Sequence, residues 1–346
     1  MQISPETQLF IREHQTDDVR ALALQARKYP NVDMPTAITQ IAGRQVAAEK
    51  IPSWRDTDDI WYPKHLSLEQ CSSEVTARYK ATLLKGNSLT DLTGGFGIDC
   101  AFLAARFKSA TYVERQQELC EIAAHNFPIL NLNHINVKNE DGVSYLQAMS
   151  PVDCIFLDPA RRNEHGGKTV AISDCEPDVA ELEELLLNKA GQVMVKLSPM
   201  LDLSLALKEL QHVQEVHIIS ANNECKELLL ILGQASVEEI SIHCVNLPTK
   251  GIQEEQHFVF TREQEQCSEC NYTNVLENYL YEPNASLLKA GAFRSIASAF
   301  PVKKLHPNSH LYTSDVLVES FPGRAFHIIS QCLSLIHISE PTRRVV

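Results

Sequence analysis

The feature that most constrains the fold is a series of short, apolar, β-type segments between residues 88 and 232. They lie at 88–92, 110–114, 135–138, 152–158, 192–198, 215–220 and 227–232. The first five are separated by stretches long enough for helices, such as 98–107 and 116–127, which is typical of βαβ units and a parallel sheet. Only a short polar turn around Asn222 separates the last two, so they should form a hairpin. The sequence therefore predicts a seven-stranded α/β sheet with one antiparallel strand.

Two regions with other patterns flank this segment. Residues 1–84 have apolar positions at helical spacing and several punctuating prolines, and they predict an N-terminal helical domain. Within it, Ser72-Ser73-Glu74 can cap a helix that runs through Tyr79 to Leu84. Residues 85–233 form the predicted sheet domain. Residues 234–332 predict a small, incomplete α+β domain with strands at 241–245 and 257–261 and a helix around 285–299. Residues 333–346 resemble a translated sequencing adaptor, and we expect them to be an artefact.

Composition limits the surroundings and partners of the chain. Its 346 residues contain no apolar run of the roughly 20 residues that a membrane helix needs, and the first residues are polar, so we expect a cytoplasmic protein with no membrane partner. The ten cysteines are scattered, which favours reduced thiols. Cys267 and Cys270 form a single CxxC without a second pair, and we predict no metal site.

Charge is unevenly distributed along the chain. The net charge of −13 argues against a surface wholly dedicated to nucleic acid, because phosphate binding requires lysine and arginine. A local basic groove remains compatible with it. Residues 285–331 are richer in lysine and arginine than in acidic residues, so they are the better place to expect a surface that faces RNA.

A glycine-rich segment, Asp91-Leu-Thr-Gly-Gly-Phe-Gly97, follows the first predicted strand and opens a helix. Its glycines permit a tight turn and a close approach of backbone to a ligand, although a tight turn alone would also explain them. Glu114 ends the second strand, where a carboxylate can accept hydrogen bonds from both ribose hydroxyls of a ligand. The Asp141-Gly142 pair follows the third strand, and its alternative interpretation is a simple turn.

A carboxylate also ends the fourth strand, in the segment Asp158-Pro159-Ala160-Arg161-Arg162. The carboxyl edge of an open α/β sheet is where its ligands bind. At that edge a carboxylate and a backbone carbonyl could accept the hydrogens of an amine and so orient it. The alternative is an Asp-Pro turn that merely ends a strand.

These motifs resemble those of the class I S-adenosylmethionine-dependent methyltransferases, whose Rossmann-like sheets share the terminal hairpin that dehydrogenase sheets lack. More closely, the chain from about residue 9 to 331 resembles a bacterial methyltransferase family with a THUMP-like C-terminal domain. The segments that carry this resemblance are 70–74, 91–99, 157–162, 166–169, 173–177, 282–285 and 305–310. THUMP domains bind RNA, so the resemblance implies an RNA partner, such as rRNA or tRNA.

The resemblance also implies roles for the motif residues. S-adenosylmethionine would be bound by Asp91, Thr93, Gly95, Gly97, Glu114, Asp141 and Gly142. Asp91 would lie near the amino-acid end of the cofactor and Asp141 near its adenine. Asp158-Pro159 resembles the Asp-Pro-Pro-aromatic motif of enzymes that methylate base amino groups, so Asp158 and the Pro159 carbonyl would orient a base amine of RNA.

The chain departs from that motif, and the departures leave alternatives open. Ala160 and Arg161 replace the second proline and the aromatic residue that would stack on a base. Arg161, Arg162 and Lys168 could bind substrate, or they could be ordinary surface residues. Cys175 could serve as the nucleophile of a uracil-C5 enzyme, but a structural thiol is the simpler interpretation.

Three other functions stay open from the sequence. One is a methyltransferase that acts on a protein or a small molecule, which the acidic composition favours. The second is a non-catalytic RNA-binding protein that kept the fold. The third, a nicotinamide-dependent oxidoreductase, is disfavoured by the terminal hairpin and by Asp158-Pro159.

Overall fold

The computed structural model describes residues 3–161, 171–248 and 254–330. The α-helices are α1 Pro5–Glu13, α2 Val19–Leu24, α3 Met34–Lys50, α4 Pro52–Arg55, α5 His65–Gln70, α6 Glu74–Leu83, α7 Ile98–Ala104, α8 Gln117–Ile129, α9 Gly142–Ala148, α10 Val179–Lys189, α11 Leu203–Glu209, α12 Arg262–Cys267, α13 Ala285–Ala290 and α14 Ser295–Ala299. Within the described ranges, none of these helices combines the length and the apolar character that crossing a membrane requires.

Strands alternate with these helices through the middle of the chain. They are β1 Ser88–Asp91, β2 Ser109–Glu114, β3 Ile135–Asn139, β4 Val152–Leu157, β5 Ala160–Arg161, β6 Cys175–Glu176, β7 Ala190–Leu197, β8 Val213–Ala221, β9 Glu224–Gly233, β10 Ser241–Leu247, β11 Gln256–Thr261, β12 Tyr279–Pro283, β13 Lys303–Lys304, β14 Tyr312–Ser314 and β15 Gly323–His327. Short 3₁₀ helices occur at Ala26–Lys28 and Ile172–Asp174.

The main sheet contains nine strands in the order β11-β10-β8-β9-β7-β4-β1-β2-β3. Strands β3, β2, β1, β4 and β7 are parallel, and β9 runs antiparallel to both of its neighbours. Leu89 in β1 sits opposite Ala110 on one side and Cys154 on the other, and all three are buried. The predicted α/β sheet with one terminal hairpin is therefore confirmed. It brings the ends of β1, β2, β3, β4 and β7 to one edge.

The hairpin between β8 and β9 turns at two asparagines. Asn222 and Asn223 have φ values of 52° and 61°, in the left-handed region that asparagine tolerates better than most residues. The Asn223 side chain also accepts a hydrogen bond from the Ala285 backbone N–H at 2.8 Å. The polar turn in the sequence therefore fixes the hairpin and ties α13 to it.

Strands β10 and β11 differ from the prediction, which assigned them to the C-terminal domain that begins at residue 234. In the structure they extend the main sheet, because β10 pairs in parallel with β8 along its whole length. This pairing buries Ile242, Cys244 and Val245. An unpaired β8 would expose a row of backbone groups at the sheet edge. The strand-like runs predicted the strands, but they carried no information about their partner.

The remaining C-terminal residues form a four-stranded antiparallel sheet in the order β13-β14-β12-β15. The single helix predicted around 285–299 is two helices, because Gly291 ends α13 with a φ of 76°. Leu287 of α13 and Ile296 of α14 pack in the same apolar core as one face of the main sheet. The C-terminal elements therefore pack directly against that sheet.

The N-terminal helices α3, α4 and α6 pack in the apolar core on the other face of the main sheet. As predicted, Ser73 caps α6, and its hydroxyl accepts the Thr76 N–H at 3.3 Å. The segment before α5 is held by two buried amide side chains. Gln40 exchanges two hydrogen bonds with the Tyr62 backbone at 2.8 and 2.9 Å. Asn126 of α8 does the same with the Trp61 backbone, also at 2.8 and 2.9 Å. This segment therefore joins the N-terminal helices firmly to the sheet.

Candidate active site

The glycine-rich loop connects β1 to α7 as the sequence predicted. Gly95 and Gly97 have φ values of 54° and 89°, which side chains rarely adopt. A Cβ atom on Gly94 would lie 2.2 Å from the Tyr112 ring, so the loop approaches β2 too closely for any side chain at that position. The Tyr112 hydroxyl donates to the Gly95 carbonyl at 2.5 Å. The loop is thus a cradle of backbone fixed against the ends of the strands.

Asp91, at the end of β1, is almost fully buried. One carboxylate oxygen accepts the Thr93 N–H at 3.0 Å. The other, Oδ2, is buried without a hydrogen-bond partner among the described residues. Burial raises the pKa of Asp91 well above its usual range, although the Thr93 hydrogen bond opposes this. A buried acceptor without a partner at a sheet edge fits a ligand that brings a donor or a positive charge.

Glu114 braces the glycine loop from the end of β2. Its Oε2 accepts the Gly95 N–H at 2.9 Å, and its Oε1 accepts the Gln116 N–H at 2.8 Å. A carboxylate has about four lone-pair positions, so each oxygen keeps capacity for a further donor. The ribose hydroxyls of an adenosine group are suitable donors, and the role of Glu114 toward them stays a prediction.

Asp141 and Gly142 follow β3, where the sequence placed them. Asp141 caps α9 by accepting the Ser144 N–H at 2.9 Å, and it is exposed. A Cβ on Gly142 would lie 2.3 Å from the Leu92 carbonyl oxygen, so this turn packs tightly against the end of β1. The cap accounts for Asp141 structurally, and its role toward adenine stays a prediction.

Asp158 lies directly after β4 and joins two parts of the site. Its backbone N–H donates to the Thr93 hydroxyl at 2.6 Å, which fixes it against the glycine loop. Its Oδ2 accepts a hydrogen bond from the Lys196 ammonium at 2.6 Å, and the side chain is 37% exposed. Pro159 is buried. Asp158 is therefore the accessible carboxylate beside the loop.

A series of charged side chains that the sequence did not indicate leads from Asp158 into the interior. They alternate in sign through the interior as Asp158, Lys196, Asp99, Lys80 and Glu227. Lys196 lies 3.5 Å from an Asp99 oxygen, and Lys80 lies 3.0 Å from the other. Lys80 also contacts both Glu227 oxygens at 2.7 and 2.8 Å. We call these five residues the ion chain.

Lys80, Lys196 and Glu227 of the ion chain are buried, and the Asp99 side chain is only 11% exposed. Burial lowers the pKa of Lys196, but Asp158, Asp99 and Glu227 raise it more strongly, and the net result lies well above its ordinary value. Burial likewise raises the pKa of Asp99, yet Lys80 and Lys196 outweigh it and hold that pKa at about 2. Lys196 is thus an ammonium and Asp99 a carboxylate at neutral pH. The available sequence signal was a lysine and a glutamate within or beside the apolar strands β7 and β9.

A cavity of about 1040 Å³ has Lys196 in its wall. Its walls are formed by α2, α3, α5, α6 and the ends of β7 and β9. Four cations line it, namely Arg20, Lys50, Lys196 and Lys226, together with the acidic side chains of Glu49, Glu69 and Glu227. A site of this size accommodates a molecule comparable to a nucleotide. The N-terminal helices therefore build much of the space next to Asp158.

The remaining predicted site residues are only partly described. Arg162 and Lys168 lie outside the described residues, and Arg161 is described only as backbone, in β5. Cys175 is buried in the apolar core, in the position of a structural thiol.

A group of potential metal ligands lies at a place that the sequence did not indicate. In the part of the chain that the structure describes, the single group of three candidate metal ligands is Glu215, His217 and His243. The ring nitrogens of His217 contact the Tyr79 hydroxyl at 2.9 Å and Glu215 at 3.1 Å. The group thus has partners within the protein. Cys267 and Cys270 are not members of it.

Together the sheet order, glycine loop and acidic strand ends define the class I S-adenosylmethionine-dependent methyltransferase fold. S-adenosylmethionine is the cofactor of this class, and it supplies a methyl group activated by a sulfonium. The residues fit it, because the glycine loop leaves room for a ligand, Asp91 offers an unpartnered acceptor and Glu114 retains acceptor capacity.

Comparison with known proteins identifies the family. A solved structure from Porphyromonas gingivalis W83, described as a "putative methyltransferase", is 36% identical, superposes with a TM-score of 0.83, and matches 94% of this chain and 81% of its own. The chain belongs to the family of that protein. Residues 49–163 match the model of protein-L-isoaspartate(D-aspartate) O-methyltransferase, and residues 279–322 match a ferredoxin-like domain. No curated protein sequence matches the chain.

More distant solved structures match only part of the chain. An rRNA methylase from Streptococcus thermophilus is 16% identical over 46% of this chain and 95% of its own, with a TM-score of 0.34. A methyltransferase from Streptococcus mutans, solved in complex with SAH and also described as "putative", is 14% identical over 46% of this chain and 96% of its own, with the same TM-score of 0.34.

Replacing Asp91 is expected to stabilise the cofactor-free protein and to weaken cofactor binding. Its raised pKa means that folding disfavours the ionised form, so this group destabilises the protein increasingly as pH rises from about 4 toward its folded pKa. Asp91→Asn should therefore raise the Tm of the cofactor-free protein at pH 7, and more than at pH 5. It should also weaken S-adenosylmethionine binding at least tenfold, about 1.4 kcal/mol. Thermal melts at both pH values and calorimetric titration check this.

The same substitution at Asp153 is the matched control. Hydrogen bonds from the backbone of Asn87 and Ser88 lower the pKa of Asp153, so this carboxylate stabilises the fold when ionised. Asp153→Asn should lower the Tm at neutral pH and leave cofactor affinity unchanged. A Tm for Asp91→Asn equal to or below that of the wild type would contradict the prediction.

Proposed function

We propose that the chain is an S-adenosylmethionine-dependent methyltransferase that acts on RNA. The observation that carries this proposal is the position of Asp158. This carboxylate is bound to the glycine loop through Thr93 at 2.6 Å and to a cavity-lining lysine at 2.6 Å. It therefore stands between the predicted cofactor site and a cavity large enough for a nucleotide.

The residues of the chain supply binding and orientation. Asp91, the glycine loop and Glu114 would hold the cofactor, while Asp158 would hold the acceptor. Methyl transfer requires the acceptor lone pair to be aligned with the methyl group, and most of the acceleration in such a site comes from proximity and alignment. The predicted base amine would be oriented by Asp158 and the Pro159 carbonyl, which both accept its hydrogens.

The cations around the cavity support an RNA substrate. Arg20, Lys50 and Lys226 line it in addition to Lys196, and phosphate groups bind such cations. The basic residues of the C-terminal region, where the sequence favoured an RNA surface, are instead bound within the protein. Their partners include Leu201 O for Lys289, Gln266 O for Arg294, Glu277 for Lys303, Pro307 O for Lys304 and Glu282 for Arg324. Lys50 and Lys226 also have partners, Leu68 O at 2.9 Å and Glu224 at 2.6 Å, but both line the cavity, and we therefore favour the cavity as the place for RNA.

A protein or small-molecule substrate is the second candidate. Glu49 and Glu69 also line the cavity, and these carboxylates would disfavour a polyanion there. The cavity is closed in by helices on several sides, as sites for small ligands often are.

Methyl transfer from tritiated S-adenosylmethionine distinguishes the two candidates. The full chain is incubated separately with RNA, with protein and with metabolites, all from a strain that lacks the gene. We expect label in RNA, and none with a chain that carries Asp158→Ala. Label confined to protein or metabolites would overturn the RNA substrate, and no label in any fraction despite cofactor binding would favour a non-catalytic RNA-binding protein.

A further inference from the structure

We propose that the acceptor is a hydroxyl group, namely the ribose 2′-hydroxyl of an RNA nucleotide, and that Asp158 and Lys196 together activate it. This inference rests on the proposed function and names its acceptor. It departs from the base amine that Asp158-Pro159 predicts. The reason is the ammonium at 2.6 Å from Asp158, which the sequence did not reveal.

Asp158 and Lys196 offer one hydrogen-bond acceptor group and one donor group to the substrate. An amine that is to be methylated offers only N–H donors, because its lone pair must face the methyl group, so its surroundings must accept hydrogen bonds. Lys196 is a donor with no acceptor capacity. A hydroxyl has one hydrogen for the Asp158 carboxylate, one lone pair for the Lys196 ammonium and a second lone pair for the methyl group. The Asp158–Lys196 pair matches a hydroxyl.

The Lys196 ammonium can be reached from the cavity. Lys196 has three N–H groups, and among the described residues its carboxylate contacts are Asp158 at 2.6 Å and Asp99 at 3.5 Å. Lys196 nevertheless lines the cavity, where its side chain keeps 11% of its exposure. A third donor is thus available to a group that enters from the cavity.

The rest of the ion chain holds Lys196 in place. Glu227 is buried, the Asp99 side chain is only 11% exposed, and Lys80, which lies between them, is completely buried. Ser72 donates to Asp99 at 2.7 Å and accepts from Lys80 at 2.8 Å. Each charge is therefore fixed by its neighbours, and the Lys196 ammonium is held in place before any substrate arrives. Such fixed charges stabilise a transition state without the cost of reorganisation.

The residues that follow Asp158 lack an aromatic platform for a base in the described part of the segment. Enzymes that act on a base must take it out of the stack and hold its face, for which aromatic side chains are commonly used. Here Ala160 follows Pro159, and it is exposed. A ribose hydroxyl lies on the nucleic-acid backbone and needs no platform for its base. The cavity cations are suited to the phosphates that flank a ribose.

The chemical step balances with these groups. The hydroxyl oxygen forms the new O–CH₃ bond while the S–CH₃ bond of the donor breaks, so the sulfonium becomes a neutral thioether. The hydroxyl proton passes to the Asp158 carboxylate, which acts as general base, and it is released to water when the product leaves. Lys196 stabilises the negative charge that develops on oxygen as the proton departs. The hydroxyl becomes more acidic as the O–C bond forms, so a carboxylate is a sufficient base.

The position of the label in RNA tests the inference. RNA labelled by the wild-type chain is hydrolysed in alkali, which requires a free 2′-hydroxyl next to each phosphate that is cleaved. Methyl groups on the 2′-oxygen should remain in alkali-resistant dinucleotides. Label released as mononucleotides would place the methyl group on a base and overturn the inference, while the proposed function would stand. Absence of label from RNA would overturn the proposed function, and the inference with it.

A lysine variant adds a test that is independent of product analysis. Lys196→Met should reduce methyl transfer by about 100-fold, the scale expected for loss of one charge-stabilising donor. S-adenosylmethionine affinity, measured by calorimetry, should change less than about threefold, which also shows that the variant is folded. Lys108→Met, at an exposed position away from the site, is the control and should retain full transfer. Undiminished transfer by Lys196→Met would overturn the role of Lys196.

Discussion

A chain with Asp158 replaced by alanine is expected to lose methyl transfer by at least about a thousandfold, or about 4 kcal/mol of transition-state stabilisation. Asp158 is the accessible carboxylate between the glycine loop and the cavity, and its removal eliminates both the acceptor of the substrate proton and the partner of Lys196. The fold should survive, since the side chain is 37% exposed and its backbone N–H bond to Thr93 does not depend on it.

The measurement is tritium transfer to RNA alongside calorimetric titration with S-adenosylmethionine. Cofactor affinity should be unchanged within a few-fold, because Asp91, the glycine loop and Glu114 remain intact. Asp56→Ala is the control, since Asp56 is an exposed aspartate paired with Arg55 at the surface, and it should retain full transfer. Retention of more than about a tenth of the wild-type rate by Asp158→Ala would exclude Asp158 as the general base.

Replacing Lys80 with methionine is expected to have the largest effect on stability. Lys80 is completely buried between Asp99 and Glu227, and methionine has a similar length without the charge. Removing one partner of a buried ion pair leaves an uncompensated charge, which costs about 3–5 kcal/mol. The free energy of unfolding, measured with urea, should fall by that amount. Methyl transfer should fall as well, because the charges that fix Lys196 are rearranged.

Lys85→Met provides the comparison, because Lys85 follows the same helix but is exposed. Its free energy of unfolding should stay within about 0.5 kcal/mol of the wild type. A double variant, Lys80→Met with Glu227→Gln, removes one of the two unpaired charges and should recover part of the loss. If Lys80→Met unfolds at the same urea concentration as the wild type with the same slope, the ion chain does not stabilise the fold.

The main sheet was predictable because its signals are local. Apolar segments of strand length, separated by helical segments, predicted the strands from 88 to 232, and the Asn222-Asn223 turn predicted the hairpin. Each of these signals lies within a few residues of the element that it specifies. The pairing of β10 with β8 was not predictable in this way, because a strand-like pattern does not specify which strand lies beside it.

In the candidate site, too, the residues with local sequence signals were predictable and those with distant partners were not. The glycine loop, Glu114 and Asp158 stand at strand ends, so their sequence positions placed them at one edge of the sheet. The ion chain could not be found like this, because Lys80 reaches Glu227 across 147 positions of sequence. A charge inside an apolar strand signals a buried partner, as with Lys196, but it does not name that partner. The predicted boundary at residue 84 therefore separates two sequence patterns, although the site uses residues from both sides of it.

The amide side chains of Gln40 and Asn126 have a consequence for how substrates are chosen. Each of them satisfies both the N–H and the carbonyl of one residue in the segment at Trp61-Tyr62, as a neighbouring β-strand would. A connection held in this way from both sides cannot swing as a hinge without breaking four buried or partly buried hydrogen bonds. Since this connection leads into α5 and is tied to α3, we expect these two walls of the cavity to keep their shape when a molecule binds. Discrimination between acceptors then depends on the fit to a preformed shape, and a molecule too large for that shape must reach Lys196 with only its narrowest part.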